Sequence, residues 1–514
     1  MNISFSNINF TGIKPANKVE NRVISNPIMG LDRDTFERTT PTNFTAENQD
    51  KILNAGFDDN SKQFLIRSDW NIDKIIELGT SLKTDKTKIL QCKPNEYDNN
   101  ETVVITAKNG EKDGTSITID RDGKILSKET STVKRYDTPK MTDNYTAAAY
   151  VEIKSEDYRN NLTSEIVADW DSKTDKNVVL SEVKTKKDKQ GRLVRKEIAE
   201  LSPVADFYNI KYEFPNGKTR TLAKATYDEK TGITTIKKDM RSADMTRTQY
   251  LYQDDKNGNR IIDYKITDAN GKVLMNQKQT FEKIDDNNFV STRNGKTYDI
   301  KLDKEGLNIS ERNTDKKAEL KFENKIFGEE KGSIINMLKT ISGDELMNLA
   351  NKVESVETVY NDFQSKCTTD MDMFSDDCLT KSRLKISDNP AVFLHELGHA
   401  IDSSKRPSSF GKDFKLEIKD EISSDKDFKK IYEQEKKNFL KEYPEAQRSH
   451  INYFIANEAV KGEKDRGRKE TIAETNTILN TYKANYALAM RAQYLQQHFP
   501  KTIAFLSEKL TNNA

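Results

Sequence analysis

The rhythm of hydrophobic and polar positions changes three times along the chain. Residues 1–30 show no period and read as a leader, either disordered or a secretion signal. Over 31–90 apolar residues fall at helical spacing in short runs. Ile72, Ile75 and Ile76 share a face of 70–78, and Asn43-Phe-Thr-Ala-Glu47 offers a polar cap, which predicts a small helical region. Over 91–325 the period drops to two, as in Thr115-Ser-Ile-Thr-Ile-Asp120 and Tyr298-Asp-Ile-Lys-Leu302. Asn-Gly recurs at Asn109-Gly110, Asn216-Gly217, Asn257-Gly258, Asn270-Gly271 and Asn294-Gly295, with Asp122-Gly123 as a variant. Both central residues of a two-residue hairpin turn take positive φ, so this region is expected to be an antiparallel β-rich meander of hairpins. Its units loosely repeat an Asp, two or three polar residues, a Gly, a Lys or Arg and an apolar run, but the uneven turn spacing excludes a strict solenoid.

From 326 to 514 the helical period returns. Leu346, Leu349 and Val353 follow a break at Ser342-Gly343, and Ser424 stands as a cap before Phe428, Ile431, Tyr432 and Phe439. Ile472, Thr475, Ile478, Leu479, Tyr482 and Tyr486 form a last stripe. A short alternating run, Ser382-Arg-Leu-Lys-Ile386, interrupts the helices.

Composition narrows the partners. The 514 residues carry 84 basic against 83 acidic side chains, a net charge of +1, which gives no basic field for nucleic acid or an anionic membrane. The basic stretch 184–196 reads as the wet face of a strand. No run approaches the roughly 18 to 20 apolar residues of a membrane span. Cys92, Cys367 and Cys378 form neither a disulfide framework nor a C-x-x-C site; Cys367 and Cys378 could pair under oxidant, but free thiols are expected. Residues 1–13 lack the basic and apolar regions of a Sec signal peptide and are rich in Ser, Asn and Thr.

The chemistry concentrates in a histidine-poor chain. Two of its four histidines stand four apart in His395-Glu-Leu-Gly-His399, after Asn389-Pro390, which reads as an N-cap and a first helical position. One helical turn separates the imidazoles, so both can converge on one Zn²⁺, and Glu396, rotated away from them, is the candidate general base. Gly398 leaves room for another element to lie close. Glu470-Thr-Ile-Ala-Glu474 offers two carboxylates on one helix face, one as third metal ligand and one as hydrogen-bond acceptor for a ligand histidine; the spacing leaves their roles open. Asp402 is a second candidate for that acceptor. His450 and His498 lack partner spacing and read as ordinary surface or core residues. The acidic run from Asp370 to Asp377 lacks the glycine and closing glutamate of a calcium loop.

His395-Glu-Leu-Gly-His-Ala-Ile-Asp402 and Glu470-Thr-Ile-Ala-Glu474 together resemble the catalytic domain of the anthrax lethal factor family of zinc metallopeptidases, which reads His-Glu-Phe-Gly-His-Ala-Val-Asp and Glu-Phe-Phe-Ala-Glu. Pro500-Lys-Thr-Ile-Ala-Phe505 looks like that family's closing Pro-Lys-Thr-Phe segment, and the resemblance covers about residues 380–510. It implies a helical zincin-like C-terminal peptidase domain, and with the antiparallel β-hairpin meander read from the pattern before it the expected fold class is an α+β multidomain chain. It implies one Zn²⁺ held by His395, His399 and Glu470, with Glu474 behind them, and a substrate strand along Leu384, Lys385 and Ile386. The family's tyrosine just before the ligand glutamate has no counterpart at 463–469; Tyr453, Tyr482 or Arg466 could replace it. The expected function is a zinc-dependent endopeptidase acting on a protein or peptide substrate through a zinc-bound water and a glutamate base. Export as a toxin- or effector-like protease without a Sec signal is expected, with a cytoplasmic protein as the alternative. The rival reading is a β-rich binding or adhesive protein with a degenerate zinc domain.

Overall fold

The computed structural model describes residues 45–95, 101–142, 145–171, 176–321, 326–327, 331–358, 365–371, 380–386, 389–403, 407–410, 416–418, 422–443, 454–455, 466–482 and 486–512. The leader, Cys378, His450, Tyr453 and the acidic run after Met371 lie outside them. The chain forms two compact units, Met1–Arg192 and Leu193–Ala514.

In the first unit, α1 (Ala46–Asn54), α2 (Asp59–Ile66) and α3 (Ile72–Leu82) each start at a side-chain cap. Thr45, Asp58 and Asn71 accept the backbone N–H three residues on. The helices share a core with β1 (Ile89–Pro94), β2 (Val103–Lys108) and β3 (Gly114–Ile119), built on Phe57, Leu65, Trp70, Ile75, Ile105 and Ile117. The strands β4 (Ile125–Met141), β5 (Thr146–Asp157), β6 (Leu162–Asp171) and β7 (Lys176–Lys187) continue the antiparallel meander.

The second unit opens with eleven strands, each antiparallel to the next: β8 (Leu193–Leu201), β9 (Tyr208–Glu213), β10 (Thr219–Asp228), β11 (Ile233–Arg241), β12 (Arg247–Asp254), β13 (Arg260–Thr267), β14 (Val273–Lys283), β15 (Asn288–Arg293), β16 (Lys296–Leu302), β17 (Gly306–Glu311) and β18 (Lys317–Lys321). A small mixed sheet follows, ordered β19 (Ile326–Phe327), β20 (Val353–Thr358), β22 (Thr380–Ile386), β21 (Lys366–Met371). With it come α4 (Lys331–Leu338), α5 (Gly343–Lys352), α6 (Pro390–Ser403), the hairpin β23 (Pro407–Phe410) and β24 (Leu416–Ile418), α7 (Lys426–Glu442), α8 (Arg466–Asn480), α9 (Tyr486–His498) and α10 (Pro500–Asn512). No helix among the described residues is long and apolar enough to cross a membrane.

The turns differ from the two-residue type expected at every Asn-Gly. Only Asn294-Gly295 has positive φ at both residues. Elsewhere the recurring Asp closes a longer loop: the carboxylates of Asp120, Asp188, Asp255 and Asp268 each accept the backbone N–H groups two and four residues on, at 2.8–3.0 Å. The loose sequence repeat is thus a repeated turn.

The expected fold class is corrected. Antiparallel strand dominates the molecule, and the region after 326 is not a helical zincin-like domain: it contains its own mixed sheet, and its helices lie on the meander inside one compact unit. A helical period shows that a helix has an apolar face, not what covers it. Here sheet covers much of it. A Cβ on Gly343 of α5 would meet the Tyr298 ring of β16 at 2.7 Å, and Tyr482 packs on Tyr252 of β12, ring centroids 4.5 Å apart.

Helix α10 is fixed by a buried acid. Glu435 of α7 accepts the backbone N–H groups of Lys501 and Thr502 at 3.0 and 2.9 Å, next to Pro500 at the first helical position. Burial outweighs those bonds and pushes the Glu435 carboxyl from 4.5 up to about 7. A folded-state value above the unfolded one favours the fold at low pH, and the contribution is lost as pH rises from 4.5 through about 7. Wild type should therefore lose up to about 3 kcal/mol relative to Glu435→Gln across that window, read by urea unfolding at stepped pH; parallel curves would refute the assignment.

Candidate metal centre

The helix α6 starts as its sequence implies, with Asn389 accepting the N–H of Ala391 at 3.0 Å ahead of Pro390. Ala391, Phe393, Leu394, Leu397, Ala400 and Ile401 are all buried, so the helix is enclosed rather than laid on a surface. His395 and Glu396 are buried as well, and His399 is half-buried. Against α6 lies α8. A Cβ on Gly398 would sit 2.7 Å from the Ala473 Cα and 3.1 Å from the Asn476 Cβ, so glycine is what lets the two backbones approach.

That approach brings the ligand atoms together. His395 Nε2 is 3.1 Å, and His399 Nε2 3.5 Å, from the same Glu470 oxygen, Oε2. One ligand atom from each of the three residues lies within 4.8 Å of the others. Tetrahedral Zn²⁺ with bonds of ~2.0–2.1 Å sets its ligand atoms ~3.3 Å apart, between the two observed distances. Two imidazoles and a carboxylate also match zinc chemically, so the residues fit the ion.

The surrounding charges separate the carboxylates by role. Burial opposes a charged Glu470, but hydrogen bonds to His395 and His399 win and hold it well below the usual carboxylate range. Burial likewise opposes a charged His395; the hydrogen bond to Glu470 and the charges of Glu474, Glu470 and Glu396 outweigh it and raise its pKa. Glu396 is raised by burial, only partly offset by the two histidines, and its carboxylate accepts the backbone N–H of Cys367 on β21. Glu474 Oε1 stands 3.7 Å from His395 Nδ1 and accepts from Arg491 Nη1 of α9 at 3.2 Å.

Other expected residues lie elsewhere. Asp402 accepts the backbone N–H of Ser423 at 2.9 Å, which ties the segment before α7 to α6, and it lies near enough to His399 to feel its charge. The substrate edge expected along Leu384, Lys385 and Ile386 is corrected: β22 is flanked by β20 on one side and β21 on the other, so its main chain is already paired. Leu384 and Ile386 are buried, and Lys385 pairs with Glu357 at 2.7 Å. Among the described residues the edge strands of this sheet are β19 and β21, and β21 is the one beside Glu396. Tyr482 is turned onto the meander, whereas Arg466 Nε lies 3.9 Å from Glu470 Oε1. Cys367 forms no disulfide among the described residues, and His498 is buried among Phe439, Tyr443 and Tyr494. Sequence reasoning missed Arg491, although a lone charge within Ala487-Leu-Ala-Met-Arg-Ala492 should have signalled a buried pair. The Cys367 N–H left no signal at all, because any residue supplies one.

In comparisons with known proteins, the chain matches no family model, no curated protein and no solved structure.

Gly398→Ala should cost about 1–3 kcal/mol in denaturant unfolding, because the methyl group meets backbone that cannot swing aside; an unchanged midpoint would show that the helices can separate freely. In a metal-competition titration Glu470→Ala should lose most zinc affinity and Glu474→Ala only ~10-fold to 100-fold. The reverse ranking would exchange their roles.

Proposed function

We propose that this chain is a zinc-dependent endopeptidase. The observation that carries the reading is the convergence of His395, His399 and Glu470 with Glu396 alongside, buried and of raised pKa. Zinc bound there supplies a Lewis acid toward a carbonyl oxygen and makes water more acidic. The chain's own groups do the rest. Glu396 takes a proton from the attacking water and delivers it to the departing amine; a carboxyl lifted by burial is suited to both halves of that transfer. The Cys367 N–H keeps its carboxylate turned toward the site. Glu474, itself held by Arg491, faces the far nitrogen of His395 and favours the tautomer that leaves Nε2 free to bind. Arg466 is the described cation beside Glu470 and takes the place of the missing tyrosine as a partner for negative charge growing on a substrate oxygen. An extended substrate would add to β21, the edge strand beside Glu396 among the described residues, rather than to β22.

Glu396→Gln keeps the size of the side chain and removes its basicity. It should bind one zinc per chain, measured by elemental analysis, yet cleave no member of a mixed peptide library that wild type cleaves. Cleavage at the wild-type rate would defeat the assignment of the base, and a wild type without stoichiometric zinc would defeat the reading as a whole.

A further inference from the structure

The metal triad is shared between α6 and α8, so its geometry depends on the register of those two helices. Two side chains of α8 reach α6 carbonyls one turn apart: Asn476 Nδ2 donates to Leu394 O at 2.9 Å, and Thr477 Oγ1, with its single hydroxyl proton, lies 3.2 Å from both Ala391 O and Ala473 O of its own helix. Leu394 is the residue before His395. Asn476 Nδ2 also donates to Glu345 Oε2 of α5 at 3.2 Å, so one amide ties three helices together. Helix α5 is in turn held by the meander. Arg293 of β15 pairs with Asp344 where both are 1% exposed, and Ser291 of β15 accepts the Gly343 N–H at 3.0 Å. Arg293 further donates to Gln277 of β14 at 3.0 Å.

Asn476 is an expensive residue in this place. It is fully buried, and its Oδ1 has no hydrogen-bond partner among the described residues. A buried amide oxygen left unsatisfied opposes folding, and an apolar side chain of similar size would avoid the penalty. What the amide supplies in return is its two donations, to Leu394 O and Glu345 Oε2.

We propose that Asn476 is a positioning residue of the metal centre, fixing α6 against α8 and joining both to the meander through α5. The inference rests on the zinc reading and gives strands β14–β16 a part in it: they are the footing of the site.

The test uses the full chain and zinc itself. Asn476→Leu should remain folded by circular dichroism, with an apo melting temperature below wild type because Glu345 Oε2 loses its donor, and bind zinc ~10-fold to 100-fold more weakly, the size typical of changes behind the ligands. The visible spectrum of its cobalt(II) form should shift, since cobalt reports ligand geometry rather than stability. Asn476→Ala, which leaves space instead of bulk, decides the matter if the leucine variant does not fold. A folded variant with wild-type zinc affinity and an unchanged cobalt spectrum would overturn the proposal while leaving the zinc reading intact. Wild type that takes up no zinc would overturn both.

Discussion

Between Gly398 and Ala473 the helices α6 and α8 come so close that a single methyl group would lie 2.7 Å from backbone. Every feature of the candidate centre follows from that approach. Ligand side chains have fixed lengths, so His395, His399 and Glu470 can share one point only if their helices stand at one distance. Widening the gap by the thickness of a methyl group would move Glu470 away from both imidazoles together, because the three atoms come from two rigid elements rather than from three loops. The two groups are buried and 3.1 Å apart, so the charges of His395 and Glu470 act on each other strongly.

The enclosure also accounts for the unusual number of buried polar groups around it. A chain with 34% hydrophobic residues cannot line every interface with apolar side chains. Here α5 meets the meander through Arg293 and Asp344, and α10 begins on the Glu435 carboxylate. Buried pairs of this kind contribute little net stability compared with apolar packing, but removing one partner leaves a costly orphan. They therefore act as directional constraints. An apolar contact allows a helix to slide or turn by a few tenths of an ångström, while an ion pair or a carboxylate on two N–H groups does not.

What could be read in the sequence was what depends on near neighbours. The spacing of His395 and His399, the cap at Asn389 and the alternation in Tyr298-Asp-Ile-Lys-Leu302 are all local, and the structure places each on the element its pattern implies. The errors lie where the decisive partner is distant. Alternation in Ser382–Ile386 marks a strand but not its position in a sheet, and β22 proved to be interior. The stripe ending in Tyr482 marks a buried face but not that aromatic residues of the meander cover it. The turn repeat was visible, yet the number of residues each loop spans depends on the Asp two and four positions before the N–H groups it accepts, and Asn-Gly alone does not reveal it.

The electrostatics of the centre can be understood without reference to any family. Three carboxylates, Glu396, Glu470 and Glu474, stand around two imidazoles, with Arg491 beside Glu474 and Arg466 near Glu470. Burial by itself would neutralise the acids and strip the proton from His395. Instead Glu470 is held ionised and His395 is favoured as a cation, so the field at their meeting point attracts positive charge strongly enough to overcome desolvation. A proton on His395 answers that field, and the proposed metal ion would answer the same one. Glu396 escapes it in part: burial dominates there and keeps its carboxyl raised. The centre thus sets one carboxylate that is held ionised beside another that burial raises, and their separate environments on α8 and α6 are what the proposed division into ligand and base rests on.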